Sequence, residues 1–290
     1  MARAIAVLFA AATLVAAAPV TLRQAVLAGN APIEGLDPAE LDRPITSYAV
    51  RDDPGLFVIA YYSDNGGPIR VRLFDKASRR WRSRDLRHDT GSITGIHISQ
   101  NYILLDTHVN PSAGHLLVLT KSLELREALS GWFLAIFEDE TVVFHNSLVH
   151  FAPTHSAEVS VYDPRTRRQR KIYPLRPYQA VRRAHIERLR AAWKQRGEEW
   201  FARNNHHMDP ERFTNYLRGA VALDNPTRSL AFVAAYDGAD LGSGDIEVAY
   251  VYRNIAAGRD PEYREFVAGA GSPAEWLKPG AVERIFRAPP

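Results

Sequence analysis

Short apolar stretches separated by polar turns run along most of the chain, and they come in sets of four. Residues 45–50, 56–62, 69–74 and 81–86 make the first set, and 93–98, 102–107, 116–119 and 125–129 the second. The third is 132–137, 141–145, 158–162 and 170–173, and the fourth is 220–223, 229–235, 246–252 and 263–267. The second members line up as near-continuous apolar runs: Phe57-Val58-Ile59-Ala60, Ile103-Leu104-Leu105-Asp106, Val142-Val143-Phe144-His145 and Leu230-Ala231-Phe232-Val233. Runs of four to eight such residues bounded by turn formers predict strands buried on both faces, whereas the charged fourth members suit a solvated rim. In the first set, Asp64-Asn65-Gly66-Gly67 predicts a tight hairpin, because Asn and Gly tolerate positive φ.

The sets are also evenly spaced. The third stretch of each runs into a polar turn at Asp75, Thr120, Asp163 and Arg253, and the steps between these residues are 45, 43 and 90. The last step is two periods long. A period of roughly 40–50 residues built from short strands is that of propeller blades. The expected fold is mainly β, a small propeller of four or five blades. Residues 282–287 and 21–27 are spare stretches, either of which would complete a blade from the other end of the chain. An incomplete propeller that closes on a second subunit is the competing arrangement.

Between 174 and 219 the period becomes helical. Ile186, Leu189, Trp193 and Trp200 fall on one helical face, with Pro177 near the start and Asn204-Asn205 near the end. Asp209-Pro210-Glu211 reads as the capped start of a second, shorter helix, with Phe213, Tyr216 and Leu217 as its apolar face and Gly219 as its stop. The expectation is a helical hairpin inserted between two blades.

The N-terminus adds a compartment. Arg3 precedes an apolar and small-residue run over residues 5–17, and Val15-Ala16-Ala17 fits a small-x-small cleavage site. This is the form of a secretory signal peptide, and the run is shorter than the ~20 residues that span a bilayer. The expected organisation is therefore a signal peptide at 1–18, an arm at 19–44, and the propeller at 45–290 with its insertion. The mature protein is expected in the periplasm or outside the cell. The chain has no cysteine, which removes thiol nucleophiles, zinc-thiolate sites, iron–sulfur clusters and disulfides.

Charge is segregated. Residues 165–218 carry 15 Lys and Arg against 5 Asp and Glu, a net of +10; with the whole chain at +3, the remainder carries −7. A cationic insertion on an acidic body fits an anionic lipid, an acidic polysaccharide or an acidic protein surface, with Arg182, Arg183, Arg188 and Arg190 as contact residues. Two other origins stay open. The insertion could pair its charges with the acidic remainder, and the chain's 31 Arg to 5 Lys also matches a GC-rich composition. Export leaves nucleic acid a poor partner.

Candidate chemistry is sparse. Asp106-Thr107-His108 and His145-Asn146 end second strands in adjacent sets, where strand ends line the mouth of a propeller channel. His206-His207-Met208-Asp209 resembles a borderline-cation ligand set, but adjacent histidines point apart and Asp209 is already an N-cap. A site there would need a further ligand such as His145 or His150, so no metal and no cofactor is expected. Glu138-Asp139-Glu140 is a carboxylate pair in principle, yet it lies where a tight turn is expected. No nucleophile elbow, H-E-x-x-H or P-loop is present, and Gly242-Ser243-Gly244-Asp245 reads as an inter-strand loop.

The segments from Phe74-Asp75-Lys76 to Trp81 and from Val161-Tyr162-Asp163-Pro164-Arg165-Thr166 resemble the outer hairpins of the broad propeller superfamily. The likeness spans roughly 45–267 without the insertion and is architectural, since no Trp-Asp ending, kelch double glycine or Tyr-Trp-Thr-Asp is present. The stretch from Val161 through Glu198-Glu199-Trp200 to Phe213 is similar to uncharacterised exported bacterial proteins and brings no site residue with it. The function these features imply is an exported, non-catalytic binding or scaffolding protein. The alternative is a hydrolase acting on a glycan or lactone in the channel through Asp106, His108 or His145.

Overall fold

The structure is a computed structural model that describes residues 20–63, 67–87, 91–110, 113–146, 158–173, 191, 215–224, 228–236, 246–253, 255 and 262–267. They form two compact units divided between Phe133 and Leu134. The architecture is mainly β, with four four-stranded antiparallel sheets, each a meander of strands consecutive in sequence.

The first unit opens with β1 (Val20–Thr21), α1 (Leu22–Ala28), α2 (Pro38–Leu41) and β2 (Pro44–Ile45), where β2 pairs with β1. The first sheet follows as β3 (Ser47–Asp52), β4 (Leu56–Tyr62), β5 (Ile69–Asp75) and β6 (Arg80–Leu86). The second is β7 (Ser92–Ile98), β8 (Tyr102–Asn110), β9 (Ala113–Thr120) and β10 (Leu125–Ser130). The expected turn at 64–67 lies outside the described residues except for Gly67.

Strand alternation explains why β4 is buried throughout. Val58, Ala60 and Tyr62 face the second sheet and share a core with Ile103, Leu105, Leu117 and Leu119. Phe57, Ile59 and Tyr61 point the other way, onto Leu22, Val26, Leu36 and Leu41 of the arm. The arm thus covers the face of the first sheet that the second sheet leaves open. Fully burying Leu22 and Val26 there contributes roughly 1.5–3 kcal/mol per side chain.

The arm's helices start for local reasons. Thr21 Oγ1 accepts from the Gln24 N–H and Gln24 Oε1 from the Thr21 N–H, a capping box at the head of α1. Asp37 caps α2 by accepting from the Ala39 N–H at 2.9 Å, with Pro38 in the first turn. The spare strand expected at 21–27 is therefore a helix. Its capping box and the spacing of Leu22, Ala25 and Val26 on the buried side outweigh the strand reading. The other spare stretch, 282–287, lies outside the described residues.

The third sheet begins with β11 (Trp132–Ile136) and continues as β12 (Val142–Asn146), β13 (Glu158–Asp163) and β14 (Arg168–Tyr173). The fourth is β15 (Asn215–Asp224), β16 (Ser229–Tyr236), β17 (Ile246–Arg253) and β18 (Glu262–Val267). Tyr216, Leu217 and Gly219 lie in β15, not at the end of a helix. Tyr216 pairs with Ala235, Leu217 with Ala234 and Gly219 with Val233, with a bulge between Leu217 and Gly219. The ladder to β16 thus claims backbone groups that a helical turn would have used. Between 174 and 214 only Ala191 is described, and it is helical; the remainder of the expected hairpin lies outside the described residues.

The periodic positions are structurally equivalent. Asp75, Thr120, Asp163 and Arg253 each end the third strand of their sheet. Three of them close the following turn. Asp75 Oδ1 accepts from the Ala77 and Ser78 N–H groups, Thr120 Oγ1 from the Glu124 N–H, and Asp163 Oδ1 from the Arg165 N–H. A turn that leaves backbone donors open needs such an acceptor, which is why Asp and Thr recur there.

Candidate functional site

Asp106 sits inside β8, opposite Gly95, and both of its carboxylate oxygens are engaged. Oδ1 accepts from the Phe133 N–H at 2.9 Å, and Oδ2 accepts a hydrogen bond from His97 Nε2 at 2.9 Å. The His97 ring stacks on Phe133, with centroids 3.6 Å apart and planes 17° apart. The carboxylate, imidazole and aromatic ring form one unit that holds the residues opening β11 against β8. His97 was not among the residues expected from sequence, although its position was readable. Once the turn after Ile98 pairs Ile98 with Ile103, His97 lies diagonal to Asp106 on one face.

His108, two residues further along β8, lies beside Trp132 with ring centroids 6.5 Å apart. Gly114 opposite it makes room for that indole: a Cβ there would stand 2.4 Å from Trp132 Nε1 and 2.7 Å from the Thr107 carbonyl oxygen. Asp106, His108 and Trp132 are thus gathered around one sheet face. His145 is buried in β12 opposite Val159 and belongs to the other compact unit. Chemically, the His97–Asp106 pair fixes a tautomer and a ring position, and Phe133 covers one face of that ring.

Asp139, within the Glu138-Asp139-Glu140 run, is in a tight turn. The Phe137 N–H donates to the Thr141 carbonyl and the Glu140 N–H to the Phe137 carbonyl, with Glu140 at φ 68°. The Asp139 carboxylate accepts from the Thr141 N–H and hydroxyl and pairs with Arg228 and, at 3.9 Å, with Arg165. It works as a turn brace and not as half of a poised carboxylate pair.

Among the described residues, the most heavily engaged polar cluster joins the arm to the first sheet, and it was not anticipated from sequence. Arg72 is almost fully buried in β5, with Nη2 2.7 Å from Glu40 Oε1 and Nε 3.1 Å from Glu40 Oε2. Its Nη1 donates to Asp85 at 3.0 Å, and the Tyr61 hydroxyl donates to Glu40 at 2.9 Å. Burial pushes the Glu40 carboxyl up, but hydrogen bonds from Arg72 and Tyr61 outweigh it and hold the group below its ordinary value. Burial alone would lower the Arg72 guanidinium, but its bonds to Glu40 and Asp85 outweigh this and raise it, so it stays charged. Burial, with the negative charge of Glu40, pushes the Tyr61 phenol up.

Of the cationic region, Arg182, Arg183, Arg188 and Arg190 lie outside the described residues, as do His150, His206, His207, Asp209 and the loop at 242–245. Its beginning is described. Arg165 pairs with Asp163 and Lys171 with Glu158, while Arg167 and Arg168 are exposed. Among the described residues no group of three or more His, Asp or Glu is arranged to hold a metal ion. No described helix is long and apolar enough to cross a membrane.

No family model matches the chain, and no curated protein matches it in sequence. Among solved structures, it is similar to a prolyl endopeptidase at 13% identity and a TM-score of 0.34, covering 65% of this chain and 24% of that one. A thermostable family-43 glycoside hydrolase matches at 11% identity and 0.34, over 79% of this chain and 73% of that one. Prolyl oligopeptidase B from Galerina marginata matches at 11% and 0.34, over 73% of this chain and 24% of that one. The chain thus spans about a quarter of the two peptidases. Likeness at this level brings no chemistry to this chain.

Proposed function

We propose that this chain is an exported, non-catalytic binding or scaffolding protein that docks an anionic partner through the cationic insertion at 174–219. The observation that carries the reading is the charge segregation: net +10 over residues 165–218 against −7 for the rest of the chain. Such a separation creates a directional field that draws anions to one part of the molecule. Arg167 and Arg168, exposed at the described edge of this region, support it. The commitment of both Asp106 oxygens to the Phe133 N–H and His97 also supports a structural use of that cluster over a catalytic one. The frame for this role is a small propeller of four or five blades. Four equivalent meanders support it, as does the Ile93 N–H donating to Ser47 Oγ at 2.9 Å between the first strands of neighbouring sheets.

The test is retention on anionic phospholipid vesicles and on an immobilised acidic polysaccharide at low salt. Arg183→Glu with Arg190→Glu weakens retention there, and the difference shrinks as salt rises toward the ~0.15 M range, where the Debye length is near 8 Å. Equal retention of the double variant, or no retention of the wild-type chain at low salt, overturns the reading. Export has its own check: N-terminal sequencing from the native host gives a mature start near Ala18, and an intact Met1 refutes it.

A further inference from the structure

The outer strand of the first sheet is a second cationic surface, which counting charge by region conceals. Within residues 79–87 stand Arg79, Arg80, Arg82, Arg84 and Arg87 against a single acid, Asp85. All five arginines are exposed. Asp85 is engaged by Arg72 at 3.0 Å, so it does not neutralise them. Arg82 is held by Asp75 at 3.6 Å and by the Lys121 carbonyl at 2.9 Å. The side chains of Arg79, Arg80, Arg84 and Arg87 make no hydrogen bond or ion pair among the described residues.

Two features of this surface are independent of each other. The first is that β6 is an edge: it ends the order β3-β4-β5-β6, and no described strand pairs with its outer side. The second is alternation. Arg80, Arg82 and Arg84 stand opposite Asp75, Leu73 and Val71 and so share one sheet face, with their backbone positions at roughly 6.8 Å intervals. An edge offers backbone donors and acceptors to an extended chain, and alternation at two residues offers it a charge pattern.

From these we infer that β6 is a docking edge for an extended acidic peptide strand, one carrying Asp or Glu at every second position. Added alongside β6, such a strand places each carboxylate across from an arginine of the Arg80, Arg82, Arg84 row, where opposite charges stabilise and the guanidinium fork can grip both oxygens. A second copy of this chain is disfavoured at the same edge, because pairing β6 with β6 sets arginine against arginine. The row therefore blocks self-association and selects by sign. The inference stands on β6 alone and does not require the insertion to bind anything.

The test uses the full chain and fluorescence anisotropy of a labelled eight-residue peptide of alternating Glu and Thr at low salt. Three probes accompany it: a block peptide with the four Glu together, an alternating peptide N-methylated at every second amide, and a sulfated polysaccharide as competitor. The expected result is saturable binding of the alternating peptide and several-fold weaker binding of the block peptide. N-methylation should abolish binding, since it removes the edge hydrogen bonds while keeping the charge. Arg80→Glu with Arg84→Glu should weaken the alternating peptide at least tenfold. Equal binding of the three peptides, or binding of the sulfated polysaccharide without the alternating peptide, means a generic polyanion surface and overturns the proposal. So does unaltered binding of the alternating peptide by the Arg80→Glu, Arg84→Glu variant, or no binding by the wild-type chain.

Discussion

Glu40 and Arg72 are 32 residues apart and meet through a two-pronged ion pair, with the shortest contact 2.7 Å. Glu40 lies on α2 and Arg72 in β5, so this pair fastens the arm to the first sheet. It also explains how a charged side chain sits within the apolar face formed by Phe57, Ile59 and Phe74. The guanidinium donates to Glu40, Asp85 and the carbonyls of Val71 and Arg84, so its buried donors are satisfied.

Removing Glu40 leaves the buried Arg72 guanidinium with only the half-exposed Asp85 as counter-charge. Glu40→Ala should destabilise the protein by about 3 kcal/mol and loosen the arm. The measurement is urea unfolding together with cleavage by a glutamate-specific protease after Glu34, which precedes α2 and is exposed. Glu40→Leu with Arg72→Met should recover part of the loss, because an apolar pair leaves no buried charge to satisfy. If the single change costs nothing and cleavage is unaltered, the pair does not hold the arm.

The same pair predicts an acid response. The Glu40 carboxyl is held below its ordinary 4.5, so the folded state binds fewer protons there than the unfolded chain. Its contribution is therefore complete above pH 4.5 and is lost as pH falls through the depressed folded value. Asp163 is shifted the same way: burial raises it, but hydrogen bonds from Arg165 outweigh that. The acid limb of a stability profile should be shallower in Glu40→Gln than in the wild type. Superimposable profiles would show that Glu40 is not linked to folding.

Asp106 gives a third outcome, set by geometry. Asp106→Ala strips the acceptor from the Phe133 N–H and should cost about 2 kcal/mol, the range for a buried donor left unpaired. Asp106→Asn keeps an acceptor for that N–H and should cost under about 1 kcal/mol, with His97 presenting its other tautomer to the amide. Chemical denaturation of both variants decides the matter, and equal losses would mean the Phe133 bond is not what Asp106 supplies.

The chain's own pattern was sufficient for the strands. The order of all sixteen strands of the four sheets is the order of the apolar stretches, and β4 spans the residues read from sequence, Leu56–Tyr62. Asp75, Thr120 and Asp163 were readable as equivalents because turn closure depends on residues two to four positions away. Short-range chemistry of this kind is written in the sequence. Where the reading failed, a local signal competed with another: the Thr21–Gln24 box made a helix of residues taken for a strand, and β16 drew Tyr216 and Leu217 out of a helix into β15.

The polar clusters were decided by tertiary structure. Nothing within ten residues of Glu40 announces Arg72, and nothing around Asp106 announces the Phe133 N–H, 27 positions on. Such pairs form only after strand alternation has assigned each residue to a face and packing has assigned that face a neighbour. Alternation is periodic and local, so the sequence by itself determined which residues share a side of a strand. The neighbour is chosen by burying the largest apolar area, which sums over the whole unit. Only the folded chain could therefore show that the arm, and not another sheet, lies against Phe57, Ile59 and Tyr61.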